Sequence, residues 1–181
     1  MAAAASRRHQ QQAGWRVEPM VEVLGRAGSS LSFTMIGDPP VQRRPRIAWR
    51  GLLGGIWRMN RRLLGPRSMP IIYDPSAVDK ARYSAAVVAA LTELGLSDDL
   101  PYFREGVPLK LEVKFLCPRP IHAVQAFPTR KDLDNMVKFV MDACHDVLYT
   151  NDTVIVKITA EKAFPPVGSV GAWTEVLIGT I

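Results

Sequence analysis

Alternation of apolar and polar residues predicts four strands along the chain. The clearest strand runs from Leu109 to Phe115, where Leu, Leu, Val and Phe alternate with Lys and Glu. Weaker alternation predicts strands over residues 31–36, 153–163 and 172–178, and Pro70-Ile-Ile-Tyr73 is a candidate for a short extended piece. In the longest of these, Val, Val, Ile and Ala recur at every second position, which predicts one apolar face.

Apolar residues spaced three and four positions apart predict two helices. Asp74-Pro75-Ser76 carries start signals for the first helix, and Gly95 is a typical stop. The second helix is predicted over residues 133–147, with Met136 and Val140 on its apolar face. Together these elements predict an α+β fold in which a mixed sheet carries two main helices.

The chain divides into a tail and one domain. Residues 1–30 begin with low complexity and continue with glycines and serines, which predicts a disordered tail. The first 17 residues lack acids, so a targeting segment for a mitochondrion or plastid is the alternative. Residues 31–181 form the predicted domain. Two cysteines make no disulfide framework, which favours an intracellular compartment, and no apolar run is long enough for a membrane span.

Charge is distributed unevenly between the two parts of the chain. The first 70 residues carry twelve arginines and three acids, whereas residues 71–181 carry eleven Lys/Arg and fourteen Asp/Glu. Residues 41–70 contain eight arginines and no acid, which predicts a mobile, basic, DNA-binding loop. Trp49 and Trp57 in this loop could stack on unpaired bases, or pack on the domain.

Three aspartates form the candidate chemistry. Asp132 and Asp134 lie where a loop enters the second helix, and Asp152 opens the strand that follows it. If the chain folds back along the helix, the three carboxylates meet, and such hard oxygen donors suit Mg²⁺. The alternative is structural. Asp132 would then cap the helix, Asp152 would hold a turn, and Lys138 would form a helical ion pair with Asp134 or Asp142.

These residues resemble a known family. Lys131-Asp-Leu-Asp-Asn-Met-Val-Lys138, then Asp142-Ala143, then Tyr149-Thr-Asn-Asp152, is similar to the signature of RusA-type Holliday junction resolvases. The Gly37-Asp-Pro-Pro segment with Arg43, Arg44 and Arg46 also resembles the family, as does Lys162 at the end of a strand. The resemblance extends over roughly residues 31–181.

The resemblance implies a homodimer that nicks paired strands of a four-way DNA junction in recombination and repair. It implies Asp132, Asp134 and Asp152 as metal-binding carboxylates with Mg²⁺, and Lys138 as the catalytic lysine. The predicted DNA-binding residues are Arg43, Arg44, Arg46, Lys131 and Lys162. Asn151 replaces one acid of the family pattern, so a catalytically inactive protein that binds branched DNA is one alternative. A basic RNA-binding protein is another.

Overall fold

The computed structural model describes residues 16–18, 30–49, 70–169 and 171–181. The helices are α1 (Ala77–Glu93) and α2 (Leu133–Cys144). The strands, numbered β1 to β7 in chain order, are Arg16–Glu18, Ser30–Ile36, Arg46–Trp49, Pro70–Tyr73, Leu109–Leu116, Ile155–Ala163 and Trp173–Thr180.

Five strands form the main sheet in the order β1-β2-β7-β5-β6. Neighbouring strands are antiparallel except β5 and β6, which are parallel. A parallel pair needs a long crossover, and α2 lies in the connection between these two strands. The predicted α+β fold with a mixed sheet and two main helices is therefore confirmed.

Both helices pack on one face of the sheet. Alternate side chains of β2, β5 and β7 join one apolar cluster with α1 and α2; among them are Leu31, Phe33, Leu111, Val113, Phe115 and Val176. Tyr83 of α1 meets Phe139 of α2 edge to face, with ring centroids 5.8 Å apart. The opposite face carries polar residues such as Glu112, Lys114 and Glu175, so helix cover on one face accounts for the alternation in the sequence.

The structure differs from the sequence-based expectations at three element boundaries. Residues 46–49, inside the predicted loop, form a strand that pairs antiparallel with residues 70–73, where an extended piece is expected. The strand predicted from residue 153 starts at Ile155, because residues 152–154 form a 3₁₀ turn. The second helix ends at Cys144 rather than residue 147, since Asp146 adopts a positive φ of 64° and turns the chain.

The face of β6 that the sequence predicts to be apolar is only partly covered. Val156 is 61% exposed and Ile158 is 46% exposed. The reason is position: β6 is the outer strand of the described sheet, and α2 covers only part of its length. No helix in the described ranges is long and apolar enough to cross a membrane.

Candidate functional site

The site is built around the first turns of α2. Asp132 occupies the N-cap position with extended backbone, and Asp134 lies in the first helical turn. The Asp132 carboxylate makes no capping hydrogen bond to the helix backbone; its described side-chain partner is the Asn135 amide, at 3.5 Å. Asp132 and Asp134 are exposed, so both carboxylates remain available to a ligand from solvent.

Tyr149 directs the chain back along α2 after the helix ends. Its side chain is buried, and its hydroxyl donates a hydrogen bond to the Met141 carbonyl at 2.8 Å. Burial raises the pKa of this hydroxyl well above its usual range, which keeps the donor proton in place. The Tyr149 carbonyl also accepts the Asp146 N–H at 2.9 Å. The chain therefore leaves the helix in a fixed direction.

Asn151, rather than Asp152, holds the turn that follows. The Asn151 side-chain oxygen accepts the Thr153 N–H at 3.0 Å and caps the 3₁₀ turn. The Asp152 side chain is exposed and does not carry out the capping role that the structural alternative assigns to it. An amide at position 151 thus performs a local backbone function that requires no carboxylate.

One cavity of about 490 Å³ joins these parts. Its polar lining combines Asp134, Lys138 and Asp142 of α2 with Asp152 from the returning chain. Its apolar floor consists of Leu133, Val137, Met141, Ile158 and Ala160. The structure therefore brings three of the four predicted catalytic residues to one cavity, and Asp132 stands beside it at the start of the same helix.

The carboxylates line this cavity without converging on one point. Among the described residues, no three His, Cys, Asp or Glu side chains form a group that could hold a metal ion. The donor set still suits Mg²⁺ in kind, because this ion is commonly held by one or two carboxylates, and water and substrate phosphate fill its remaining positions. Asp134 and Asp152 provide two such carboxylates on one cavity with room for water.

Asp142 differs from the other carboxylates because it has an internal cation as partner. Lys80 of α1 places its ammonium 2.7 Å from Asp142 and 2.8 Å from Asp74. Burial opposes the charged form of Lys80, yet the hydrogen bonds to both carboxylates leave its pKa above the usual value. Burial likewise opposes ionisation of Asp74, but Lys80 and the Ser76 N–H leave its pKa below the usual value. Sequence reasoning missed Lys80, since it lies 62 positions before Asp142.

The basic segment that precedes β3 is fastened to the starts of both helices. Gln42 N–H donates to the Asn135 carbonyl of α2 at 2.9 Å. Arg43 N–H donates to the Ser76 hydroxyl, which directly precedes α1, at 2.9 Å. The side chains of Arg43, Arg44 and Arg46 are exposed. Their guanidinium groups are thus presented from a backbone that is hydrogen-bonded next to the carboxylates.

Lys131 and Lys162, both predicted to contact DNA, make internal hydrogen bonds. The Lys131 ammonium lies 2.7 Å from Asp38 and also donates to the Pro39 carbonyl. The Lys162 ammonium donates to the Lys131 carbonyl. These contacts join the turn after β2 to the residue before Asp132, so both lysines support the local structure of the site. Their contact with DNA stays a prediction.

Part of the predicted basic loop lies outside the described residues. Residues 50–69 are the part concerned, and they include Trp57 and the other arginines of the loop. The predicted tail lies outside them as well, apart from residues 16–18, which form the β1 edge of the sheet, and residue 30, which begins β2.

Exposed carboxylates and a lysine on one cavity, next to a fixed basic segment, define a candidate site for phosphodiester chemistry on a nucleic acid. Residues 59–171 match the family model described as endodeoxyribonuclease RusA. This match covers more than half of the chain and includes the whole of α2 and the return to Asp152. The chain therefore belongs to the RusA family of endodeoxyribonucleases. No curated protein matches the chain in a direct sequence comparison.

Proposed function

We propose that this chain is a Holliday junction resolvase: a Mg²⁺-dependent endonuclease that nicks paired strands of four-way DNA junctions in recombination and repair. The observation that carries the proposal is the cavity shared by Asp134, Lys138 and Asp152, within the part of the chain that matches the endodeoxyribonuclease family. Family membership supports nuclease chemistry, and the carboxylates with the nearby lysine supply suitable groups for it.

In this proposal the carboxylates of Asp134 and Asp152 hold the metal, and Asp132 is the third ligand. When bound, Mg²⁺ polarises the phosphoryl oxygen and promotes ionisation of a water nucleophile. Lys138 extends from the same face of α2 as Asp134, one turn further along the helix. Its ammonium stabilises negative charge that develops on the phosphoryl group or on the leaving 3′-oxygen.

Asp142 has a different role in the proposed site. Lys80 pairs with both Asp142 and Asp74, so its single positive charge offsets part of the negative charge of Asp142. A substrate phosphate that approaches Asp134 and Asp152 is repelled less than it would be by three uncompensated carboxylates. In this proposal Asp142 lines the cavity without being a metal ligand.

DNA reaches the cavity along the basic segment. Arg43, Arg44 and Arg46 are exposed and contact backbone phosphates in this proposal. Their segment is hydrogen-bonded to Asn135, three positions after Asp132, so phosphates held by these arginines are close to the carboxylates. Such contacts fix the position of the DNA without reading its sequence.

We also propose that the active form is a homodimer, because symmetric cuts in two strands require two active sites. The outer edge of β6 is the proposed contact surface. Its backbone lies at the edge of the described sheet, and Val156, which does not line the cavity, is 61% exposed there. Long exposed sheet edges with apolar side chains are usually covered in native proteins.

A cleavage assay tests the enzyme proposal. A labelled four-way junction and a linear duplex of matched sequence are incubated with wild-type protein, with Mg²⁺ or EDTA. Paired symmetric nicks in the junction, seen only with Mg²⁺, are the expected result. The Asp134→Asn variant is expected to lose at least about 100-fold in rate, as when a group that stabilises transition-state charge is lost.

Asp146→Asn is the matched control, since it removes one carboxylate from an exposed position just after α2. Asn tolerates the positive φ at this position, so the variant keeps the local backbone. The control is expected to cut like the wild type. Tight junction binding without cleavage under any divalent ion would instead identify a catalytically inactive branched-DNA-binding protein.

A further inference from the structure

The loop between β5 and α2, residues 117–131, exposes three large apolar side chains. Ile121 is 96% exposed, Val124 is 93% exposed and Phe127 is 59% exposed. All three lie within residues 121–127. We call residues 117–131 the proline-rich loop, because they include Pro118, Pro120 and Pro128. Scattered single apolar residues on a surface are ordinary, but a group of three on one loop marks an interaction site.

Both ends of the proline-rich loop are fastened to the end of β6. The Cys117 N–H donates to the Ala163 carbonyl at 2.9 Å, and the Arg119 guanidinium lies 5.0 Å from the centre of the Phe164 ring. At the other end, the Lys162 ammonium donates to the Lys131 carbonyl. A loop with both ends held at one place carries its tip outward as a compact projection.

Prolines restrain the flanks of the tip. Pro118 and Pro120 precede Ile121 and Pro128 follows Phe127, so φ is fixed at these positions, and the Ala123 N–H closes a turn on the Pro120 carbonyl at 3.0 Å. Restraint at the flanks lowers the conformational entropy that the loop loses when its tip packs against a partner.

Charge indicates which partner this tip meets. The proline-rich loop contains three Lys/Arg residues and no acid. Two of the three, Arg130 and Lys131, directly precede Asp132 at the candidate site, and Lys131 pairs with Asp38 outside the loop. A loop with an apolar tip and positively charged ends is complementary to DNA, which has a charged backbone and apolar faces on its nucleobases. A second copy of this chain would bring an equally basic loop, whose like charge would oppose the contact.

The place of the loop indicates which part of the DNA it meets. Because the loop ends at the first proposed metal ligand, DNA held at the candidate site would pass beside the loop. In linear duplex every base pair is stacked on both sides, so an apolar tip has to separate neighbours before it can insert. At the branch point of a junction the terminal pair of each arm is more easily unstacked, and its face is available.

We propose that Ile121, Val124 and Phe127 form an apolar wedge that packs against the base pair at the branch point of a four-way junction. This inference rests on the proposed function and names the feature of the substrate that the loop recognises. The wedge gives preference for junctions over linear duplex, and it positions the branch point relative to the carboxylate cavity.

The test uses the full chain, a junction with 2-aminopurine at the branch point, and a duplex of matched sequence, all in EDTA so that no metal-dependent cutting occurs. Wild-type protein is expected to raise 2-aminopurine fluorescence at the branch point. The variant with Ile121→Ser, Val124→Ser and Phe127→Ser is expected to lose this rise. Its junction affinity falls at least about 10-fold while its duplex affinity stays within about 2-fold, since only stacking contacts are removed.

Two control variants keep the interpretation specific. Val167→Ser removes an apolar side chain that is 99% exposed on the β6–β7 turn, outside the loop, and is expected to behave like the wild type. A variant with Ile121→Leu, Val124→Leu and Phe127→Leu keeps the tip apolar and is expected to retain the fluorescence rise. If the leucine variant is as weak as the serine variant, the apolar character of the tip is not what binds, and the wedge is overturned.

Other outcomes separate the wedge from the function on which it rests. A serine variant that binds and reports the branch point like the wild type overturns the wedge and leaves the resolvase proposal intact. A serine variant whose mass in solution falls from dimer to monomer overturns it as well, because the loop is then a subunit contact. Wild-type protein that binds junction no better than duplex contradicts both proposals.

Discussion

At the scale of single residues, Lys80 shows how the protein tolerates so many carboxylates in a small space. Asp142 lines the same cavity as Asp134 and Asp152, where their like charges repel one another. The Lys80 ammonium offsets part of this charge through contacts below 3 Å to Asp142 and Asp74. In the proposed function the carboxylates of Asp134 and Asp152 then hold the metal.

Replacing Lys80 by Met tests this ion pair. The variant keeps the helical stem but leaves two partly buried carboxylates without their cation, so we expect it to lower the free energy of unfolding by about 1–3 kcal/mol. Urea denaturation followed by circular dichroism measures the change. Lys110→Met is the control, because the Lys110–Glu112 pair is longer, at 3.5 Å, and more exposed. Equal losses in the two variants would contradict the special role of Lys80.

The same pair predicts how stability depends on pH. The pKa of Asp74 is lowered in the folded state, so its contribution is present above 3.8, the ordinary value, and is lost as pH falls through the lower folded value. The pKa of Lys80 is raised, so its contribution is present below 10.5 and is lost as pH rises through the higher folded value. The difference in unfolding free energy between wild type and Lys80→Met should therefore shrink at both extremes. A difference that stays constant across this range would refute the assignment.

At the scale of elements, the return of the chain after α2 creates the site. Tyr149 determines that return, since its buried hydroxyl is bonded to the Met141 carbonyl and Asp152 follows three positions later. The helix supplies Asp134 and Lys138, and the reversal of the chain brings the Asp152 carboxylate to the same cavity. The geometry of the turn is thus as important to the site as the residues that line it.

Tyr149→Phe tests the role of the turn. The variant removes one hydrogen bond from a buried group, for which we expect a cost of about 1 kcal/mol in unfolding free energy. Because Asp152 then becomes less well positioned, junction cleavage should slow by about 10-fold or more while junction binding is retained. Tyr73→Phe, at a half-exposed position on β4, should leave both unchanged. Full activity of the Tyr149 variant would show that the turn is held by other contacts.

Much of the element pattern could be predicted because it follows from burial. The alternation at Leu109–Phe115 and the apolar face of α2 both appear in the structure as expected. The strand β3 and its pairing with β4 could not be predicted, because β3 is short and borders a segment rich in arginine and glycine, whereas β4 coincides with the extended piece expected at residues 70–73. The exposure of Val156 and Ile158 could not be predicted either, since an edge strand and a central strand share the same alternation.

The candidate site was predictable to a similar degree. The spacing of Asp132, Asp134 and Lys138 follows from local helix geometry, which sequence reveals directly. The Lys80 partnership and the docking of Gln42 on Asn135 join residues far apart in the chain, and no local pattern encodes such pairs. The proline-rich loop carried no periodic signal, so its exposed apolar tip became visible only in the structure.

At the scale of the whole molecule, the first 70 residues are strongly basic and residues 71–181 are mildly acidic. The arginines before β3 are presented beside the carboxylates, so salt should weaken DNA binding steeply. Replacing Arg43 and Arg44 by Gln is expected to reduce the slope of log affinity against log salt by about 1.8, or 0.9 for each phosphate contact. Titrations by fluorescence anisotropy at several salt concentrations measure it. Arg104→Gln is the control, because Arg104 is exposed between α1 and β5. An equal change in the salt slope for this variant would argue against phosphate contacts localised at Arg43 and Arg44.

The proposed homodimer makes a further prediction at this scale. Val156→Lys places a charge on the exposed apolar edge of β6, where a monomer would tolerate it and a subunit contact would not. Light scattering should then report half the wild-type mass, and paired nicks should become single nicks. A variant that keeps the wild-type mass would place the subunit contact elsewhere or show that the protein is monomeric.

In the proposed function, Asp152 returns to the α2 cavity and holds the catalytic metal together with Asp134. The most direct measurement is the rate of junction cleavage by Asp152→Asn at saturating junction, as a function of Mg²⁺ concentration. We predict a loss of at least about 100-fold that added Mg²⁺ restores only in part, with junction affinity within about 2-fold of wild type. Cleavage by Asp152→Asn at the wild-type rate and with the wild-type Mg²⁺ dependence would contradict the claim.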